Sequence, residues 1–131
     1  MSLENDIYNA AKDLIENRYP MGWGGAAAVA LENGQILTSV APEVHNNALS
    51  LCMEVGALLE ANKLQLKVTH SLCLVRESEN AEFKILSPCG ICQERLIYWG
   101  PEVLVAITNP ENKLKFLPLH QLMPHHWNGV T

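Results

Sequence analysis

Between two apolar runs, Ala26 to Leu31 and Gln35 to Val40, the chain carries Glu32-Asn33-Gly34. Asn-Gly in that setting is the strongest short-range signal for a tight hairpin, because the central residues of such a turn need positive φ. An antiparallel strand pair is therefore fixed early, and the rest of the chain must be arranged around it. Before the pair, Ile7, Ala10, Ala11, Leu14 and Ile15 recur at helical spacing between Leu3 and Tyr19, and Pro20 closes the run, which predicts an amphipathic helix. After it, Ala41 to Ser50 shows neither period and reads as an ordered loop. Leu51 to Asn62 is rich in Leu, Glu and Ala with Gly56 as its one breaker, and predicts a second helix beginning near Cys52.

Lys67 to Val75 alternates and is rich in β-branched residues, Arg76 to Ala81 is a polar turn, and Phe83 to Leu86 is a short extended run ending at Ser87-Pro88. Pro88 keeps its predecessor out of helical geometry, so a new element must begin after it. Gly90 to Trp99 predicts a third helix ended by Gly100-Pro101. Val103 to Thr108 reads as a buried strand, Asn109 to Asn112 as a turn and Leu114 to Leu117 as a last strand. The order α-β-β-α-β-α-β-β implies parallel pairing through right-handed crossovers, with antiparallel hairpins at either end. The fold expected is α/β, one mixed five-stranded sheet flanked by helices.

A chain of 131 residues, 48% of them hydrophobic, can bury one core without a second domain. Nine Lys plus Arg against fourteen Asp plus Glu give a net charge of −5 with no basic block, which argues against a polynucleotide or an anionic membrane as the main partner. Apolar stretches such as Ala26 to Leu31 are far too short to span a bilayer, and the acidic start, Met1 to Asp6, is unlike a signal peptide. A soluble, cytoplasmic protein is expected. Four cysteines are too few for a disulfide scaffold, and two of them form Cys89-Gly90-Ile91-Cys92, a spacing that suggests metal or redox chemistry.

Catalytic zinc sites take three protein ligands and leave the fourth position open. Cys52, Cys89 and Cys92 can supply three thiolates if the second and third helices start side by side, at one edge of the sheet, after strands running in the same direction. Helix N-termini favour thiolates, so ligands there are chemically sensible. Glu54, two residues beyond Cys52, is placed to shuttle protons between a metal-activated water and a substrate. Cys52-Met53-Glu54 followed by Pro88-Cys89-Gly90-Ile91-Cys92 matches the general signature of zinc nucleobase deaminases, with Cys in place of the first His. Other readings are weaker. A redox pair leaves Cys52 and Glu54 unexplained. A structural zinc site would need Cys73, which lies mid-strand and reads as a small buried hydrophobe. His125-His126 read as surface or interface residues, and His45 has the best claim of the histidines to a pocket.

At these motifs, and over nearly its whole length, the sequence resembles the cytidine deaminase family, including its blasticidin-S deaminase branch. The resemblance implies a three-layer sandwich built on the five-stranded sheet, with Zn2+ held by Cys52, Cys89 and Cys92 and Glu54 as the proton shuttle. It also implies that the backbone carbonyl of Ser87 accepts a hydrogen bond from the departing amine. Glu43 falls on a ribose-binding glutamate, Trp23 on a pocket-lining aromatic, and Trp127 on a closing aromatic often contributed to a neighbouring subunit. The expected reaction is hydrolytic deamination of cytidine or deoxycytidine to uridine or deoxyuridine, releasing ammonia. The alternatives are a blasticidin-S-like or other modified aminopyrimidine as substrate, a non-catalytic nucleoside-binding protein, and, disfavoured by charge, a polynucleotide editor. The resemblance, with Trp99 and Trp127 needing cover, implies a homotetramer, with a homodimer as the alternative.

Three positions depart from the family pattern. Ala41 stands where nucleoside enzymes carry a ribose-binding asparagine. Val55 stands where the tetrameric enzymes carry a charge-offsetting arginine, which blasticidin-S deaminase also lacks. Gln93-Glu94 stands where Arg-Gln is usual. Three thiolates on Zn2+ carry a formal charge of −1, so something else must offset it.

Overall fold

The computed structural model describes residues 2–129. Ser2 caps the first helix, its Oγ accepting from the Asn5 N–H at 3.1 Å, and α1 runs Leu3–Arg18 with Tyr19 as its C-cap. The hairpin follows as β1 (Gly24–Leu31) and β2 (Ile36–Ser39), with Gly34 at φ +90° in the turn. Then come α2 (Val55–Leu64), β3 (Val68–Arg76), β4 (Lys84–Leu86), α3 (Gly90–Leu96), β5 (Leu104–Ala106) and β6 (Phe116–Pro118). No helix among the described residues is long and apolar enough to cross a membrane.

The architecture is the α/β mixed sheet expected, with three differences in detail. Among the described residues the sheet has six strands rather than five, in the order β2-β1-β3-β5-β6 with β4 on β3. The short run before Ser87 is the sixth, pairing antiparallel with Cys73 to Val75, while His70 and Ser71 lower on the same edge of β3 pair in parallel with β5. The crossover through α2 does not join hydrogen-bonded neighbours. It passes over β1, so β3 lies antiparallel to β1 and parallel, one strand removed, to β2. Finally, α3 does not follow a strand parallel to β2, because β4 folds back antiparallel along β3 before α3 begins.

Helices cover both faces, which is why all eight residues of β1 are buried. On one face, Ile7, Ala11 and Ile15 of α1 pack on Ala26, Ala28, Ala30, Leu72 and Leu74. The small side chains of β1 permit this close approach: a Cβ on Gly24 would meet Ile15 Cγ2 at 2.8 Å. On the other face, Ala57, Leu58 and Ala61 of α2 and Leu96 of α3 pack on Val29, Leu31, Val68 and Val105. Strand residues alternate between the α1 face and the α2 and α3 face, and an irregularity in the β1–β3 pairing after Ala30 turns Val68 to the α2 side although it shares parity with Leu72 and Leu74.

The register sets one row of four residues across the sheet. Ser39 of β2 opposes Ala27 of β1, Ala27 opposes Cys73 of β3, and Cys73 opposes Leu86 of β4. Cys73 alternates with Leu72 and Leu74, which face α1, so the row presents Cys73 to the α2 and α3 side. Both cysteine motifs meet above this row.

Candidate active site

The chain reaches the row from two directions. From the loop after β2, Cys52 to Glu54 form a turn in which the Cys52 carbonyl accepts from the Val55 N–H at 3.1 Å. The helix therefore starts at Val55, three residues later than the sequence suggests, because Ser39 supplies the cap from a neighbouring strand. Its Oγ donates to the Met53 carbonyl at 2.6 Å and accepts from the Ala57 N–H at 3.0 Å. One hydroxyl so fixes the turn that carries Glu54 and meets one of the helix's orphan donors. From the other side, Leu86 leads into Ser87-Pro88, and Cys89 is the N-cap of α3 with extended backbone at ψ 166°. Cys92 follows in the first turn.

Cys52 Sγ and Cys89 Sγ lie 3.2 Å apart, and the three sulfurs of Cys52, Cys89 and Cys92 all fall within 4.8 Å of one another. Three sulfurs on one tetrahedral zinc, each at about 2.3 Å, would lie about 3.8 Å apart, so this donor set fits the ion. The chemistry of the thiols points the same way. Burial pushes the Cys92 thiol well above its ordinary range, and the nearby Glu54 charge pushes it further. Burial, with the contact to Cys89, raises Cys52 as well. Burial acts against Cys89 too, but hydrogen bonds from the Cys92 backbone N–H and from the Cys52 and Cys92 side chains outweigh it and bring that thiol down. Three crowded thiols that resist ionising together are what a cation must stabilise. Among the described residues, Arg95 adds to this: its Nη1 donates to Cys92 Sγ at 3.4 Å and opposes the rise in that thiol.

Glu54 is 2% exposed, and its Oε2 accepts from the Cys73 thiol at 3.1 Å. Cys52, Met53, Glu54, Cys73, Leu86, Ser87 and Cys89 line one cavity of about 180 Å³. Ser87 is locked into its wall. Its Oγ accepts from the Thr108 N–H at 2.9 Å, and its own N–H donates to Thr108 Oγ1 at 3.0 Å, so the residue is held through both its side chain and its backbone. The Gln93 side chain ties down the next carbonyl, that of Pro88, at 2.9 Å.

The other residues singled out in the sequence lie outside this cavity. Trp23 is 51% exposed and stands edge-on to Tyr19. It is close by all the same, since a Cβ on Gly25 would meet both the Trp23 ring at 2.9 Å and Met53 Cε at 3.1 Å. Glu43 is held in an exposed ion pair with Arg18 at 2.5 Å. His45 is exposed. Trp127 is 84% exposed and donates from Nε1 to Glu94 Oε1 at 3.2 Å, while His126 Nε2 lies 2.6 Å from the same carboxylate. That carboxylate clasps the C-terminal segment to α3.

Sequence reasoning missed Ser39 and Arg95, and it read Cys73 as a buried core residue without its contact to Glu54. Arg95 was accessible in principle, since i+3 from Cys92 is the neighbouring position on a helix. Ser39 and Cys73 depend on the strand register.

No family model matches the chain. A cytidine deaminase from Bacillus anthracis of known structure is 59% identical, with a TM-score of 0.96 over 97% of this chain and 91% of that one. The blasticidin-S deaminase of Bacillus cereus is 26% identical over 113 residues, 83% of this chain and 77% of that protein. The cytidine deaminase of Burkholderia pseudomallei, at 20% identity and a TM-score of 0.74 over 97% of this chain and all of its own, shares the fold.

Proposed function

Since the chain belongs to the cytidine deaminase family and is a hydrolase of that type, we propose that it hydrolyses the ring amine of a free cytosine nucleoside, with zinc on Cys52, Cys89 and Cys92. The observation that carries this reading is the buried carboxylate of Glu54 in the wall of a small cavity that two of the three clustered thiols also line. When bound, the ion supplies Lewis-acid activation of a water molecule. Glu54 is the proton carrier: its carboxylate takes one proton from the water as the oxygen adds to the amine-bearing ring carbon and delivers it to the ring nitrogen, then takes the second proton from the added hydroxyl and passes it to the amine as the C–N bond breaks and the carbonyl forms. The Ser87 carbonyl accepts a hydrogen bond from that amine, which orients it for departure. Cytidine and water give uridine and ammonia, with no other reactant. The small cavity admits a base edge beside Glu54.

A second reading concerns the substrate. Ala41 offers no hydrogen bond to a ribose, and Glu43 is engaged with Arg18 at the surface. Both observations favour a modified aminopyrimidine of the blasticidin-S kind, whose deaminase in Bacillus cereus is a relative. Ammonia release and loss of the cytosine absorbance, followed with cytidine, deoxycytidine and blasticidin S on zinc-loaded protein, separate the readings. Turnover of either nucleoside supports the first and turnover of blasticidin S alone supports the second. No turnover of any of them would leave a nucleoside-binding protein. Glu54→Gln should keep zinc and lose activity by about two to four orders of magnitude; near-normal turnover would remove Glu54 from its role.

Assembly into a homotetramer, or a homodimer, belongs to the same proposal. Leu49, Leu59, Ile91, Tyr98 and Trp127 are all exposed, and burying them against other copies would remove a large apolar surface from water. Light scattering that returned a monomer at working concentration would overturn it.

A further inference from the structure

The geometry points to Cys73 as a positioning residue for Glu54, holding the proton carrier through its thiol; this rests on the deaminase reading above. Cys73 was expected to be a plain core residue, and its burial at 6% exposure fits that. Its surroundings do not. The sheet register brings it, between Ala27 and Leu86, to the face where Glu54 sits, and its Sγ lies 3.1 Å from Glu54 Oε2. The two side chains line the same cavity. Cys73 is outside the group of three thiols that can share an ion, and burial together with the Glu54 charge keeps its proton in place. It is thus a donor to the carboxylate and not a fourth ligand.

This contact gives the two carboxylate oxygens different tasks. Oε2 is held by the thiol, while Oε1 takes no hydrogen bond from the described residues and is the oxygen left to exchange protons with water and base. A buried carboxylate with neither oxygen held would sample rotamers that point away from the reacting atoms, and positioning to within an ångström governs such steps. A thiol is a weak donor, and here its task is to hold one carboxylate oxygen and so fix the orientation of the other. No other hydrogen bond to Glu54 from a described side chain does this work.

The test is steady-state kinetics on zinc-loaded protein with Cys73→Val, Cys73→Ala and Cys73→Ser, using whichever substrate the panel above identifies. Valine removes the donor and keeps a comparable volume. The expected result is a kcat lower by about tenfold with KM within about twofold of wild type, since only the proton carrier is disturbed. Serine restores a donor and should return kcat to within about threefold. Zinc content should be unchanged in all three. If valine crowds the site and fails to fold, alanine carries the same comparison. Wild-type kcat in both apolar variants overturns the inference. Serine as slow as valine also overturns it, because the thiol would then matter for packing alone. A rise in KM at constant kcat overturns it by making Cys73 a substrate contact. Glu54→Gln is the control that separates levels: if it stays active, Glu54 is not the proton carrier and the mechanism proposed above fails along with this inference, whereas an inactive Glu54→Gln beside a normal Cys73→Val removes this inference only.

Discussion

Replacing Arg95 with glutamine should weaken zinc binding by about ten- to a hundredfold, and the size of the loss follows from one contact. The guanidinium Nη1 lies 3.4 Å from Cys92 Sγ, on a half-buried stretch of α3. Two unit charges at that distance attract by about 5 kcal/mol at an effective dielectric constant near 20. Desolvation and the solvent that still reaches the arginine reduce this, and a hydrogen bond to a charged group is worth about 1.5–3 kcal/mol net. At about 1.4 kcal/mol per tenfold, that converts to a ten- to hundredfold change in affinity. The same range is typical when a residue supporting a metal ligand is lost. The neighbouring positions give no help, since Val55 and Gln93 are uncharged. Competition with a chromophoric chelator measures the affinity directly. Arg95→Lys should fall between wild type and Arg95→Gln, because the ammonium keeps the charge and loses the fork. The pH at which the apoprotein takes up zinc should also rise in Arg95→Gln, as the Cys92 thiol loses the one interaction with a cation that opposes its upward shift. Zinc affinity within twofold of wild type in Arg95→Gln would refute the argument and leave the charge of the three thiolates to the helix termini.

Cys89→Ala should abolish stoichiometric zinc at micromolar protein, since two thiolates hold the ion far less well than three; metal analysis that still finds one ion per chain would remove Cys89 from the ligand set. Ala41→Asn should raise kcat/KM for cytidine by about three- to tenfold if the residue faces the ribose, a gain of roughly one net hydrogen bond, and unchanged kinetics with every substrate tested would place it outside the pocket. The His126 imidazole is held above its ordinary pKa, chiefly by its hydrogen bond to Glu94. Because the folded value is the higher one, the clasp is complete below the ordinary histidine value and is lost as pH rises through the raised value. Histidine proton shifts followed by NMR should show that rise, and Glu94→Gln should bring the midpoint back down; an unchanged midpoint in Glu94→Gln would dissociate the two residues.

Much of the fold was legible because local rules act on adjacent residues. The α1 pattern, Pro20 and the Asn33-Gly34 turn fix the helix and hairpin without reference to the rest of the chain. The errors arose where pairing is decided at a distance. Phe83 to Leu86 is too short to declare itself a strand by alternation, and it becomes one only because the upper half of the β3 edge is unpaired until β4 folds back on it. Local pattern suggests that the crossover through α2 joins neighbours, but β1 already occupies the place beside β2, and β3 takes the free edge of β1. The start of α2 departs from expectation for a related reason, while α1 and α3 begin at Leu3 and Gly90 as their local patterns indicate. A hydroxyl from β2 caps α2, so the residues just before Val55 form a turn that no local signal in Leu51 to Asn62 could specify.

The candidate site divides along the same line. Cys52, Glu54, Cys89 and Cys92 could be found in sequence because their chemistry is carried by spacing within two short motifs. Cys73 could not, because Val68 to Arg76 is buried on both faces and alternation there does not say which face meets which helix. Leu72 and Leu74 turn to α1, so Cys73 must turn to α2, and the register with Ala27 and Leu86 then puts it level with Glu54. A shift of one residue in the β1–β3 pairing would send a leucine to the carboxylate and the thiol into the α1 core. The packing that fixes this register is therefore also what fixes the donor to Glu54. On the other face of the sheet, Ala26, Ala28 and Ala30 must stay small for Ile7, Ala11 and Ile15 to hold β1 in place. Enlarging Ala28, whose partner in β3 is Leu72, would push α1 away and loosen the register beside it. Its effect on turnover would then reach Glu54 through Cys73, with no contact between Ala28 and the site itself.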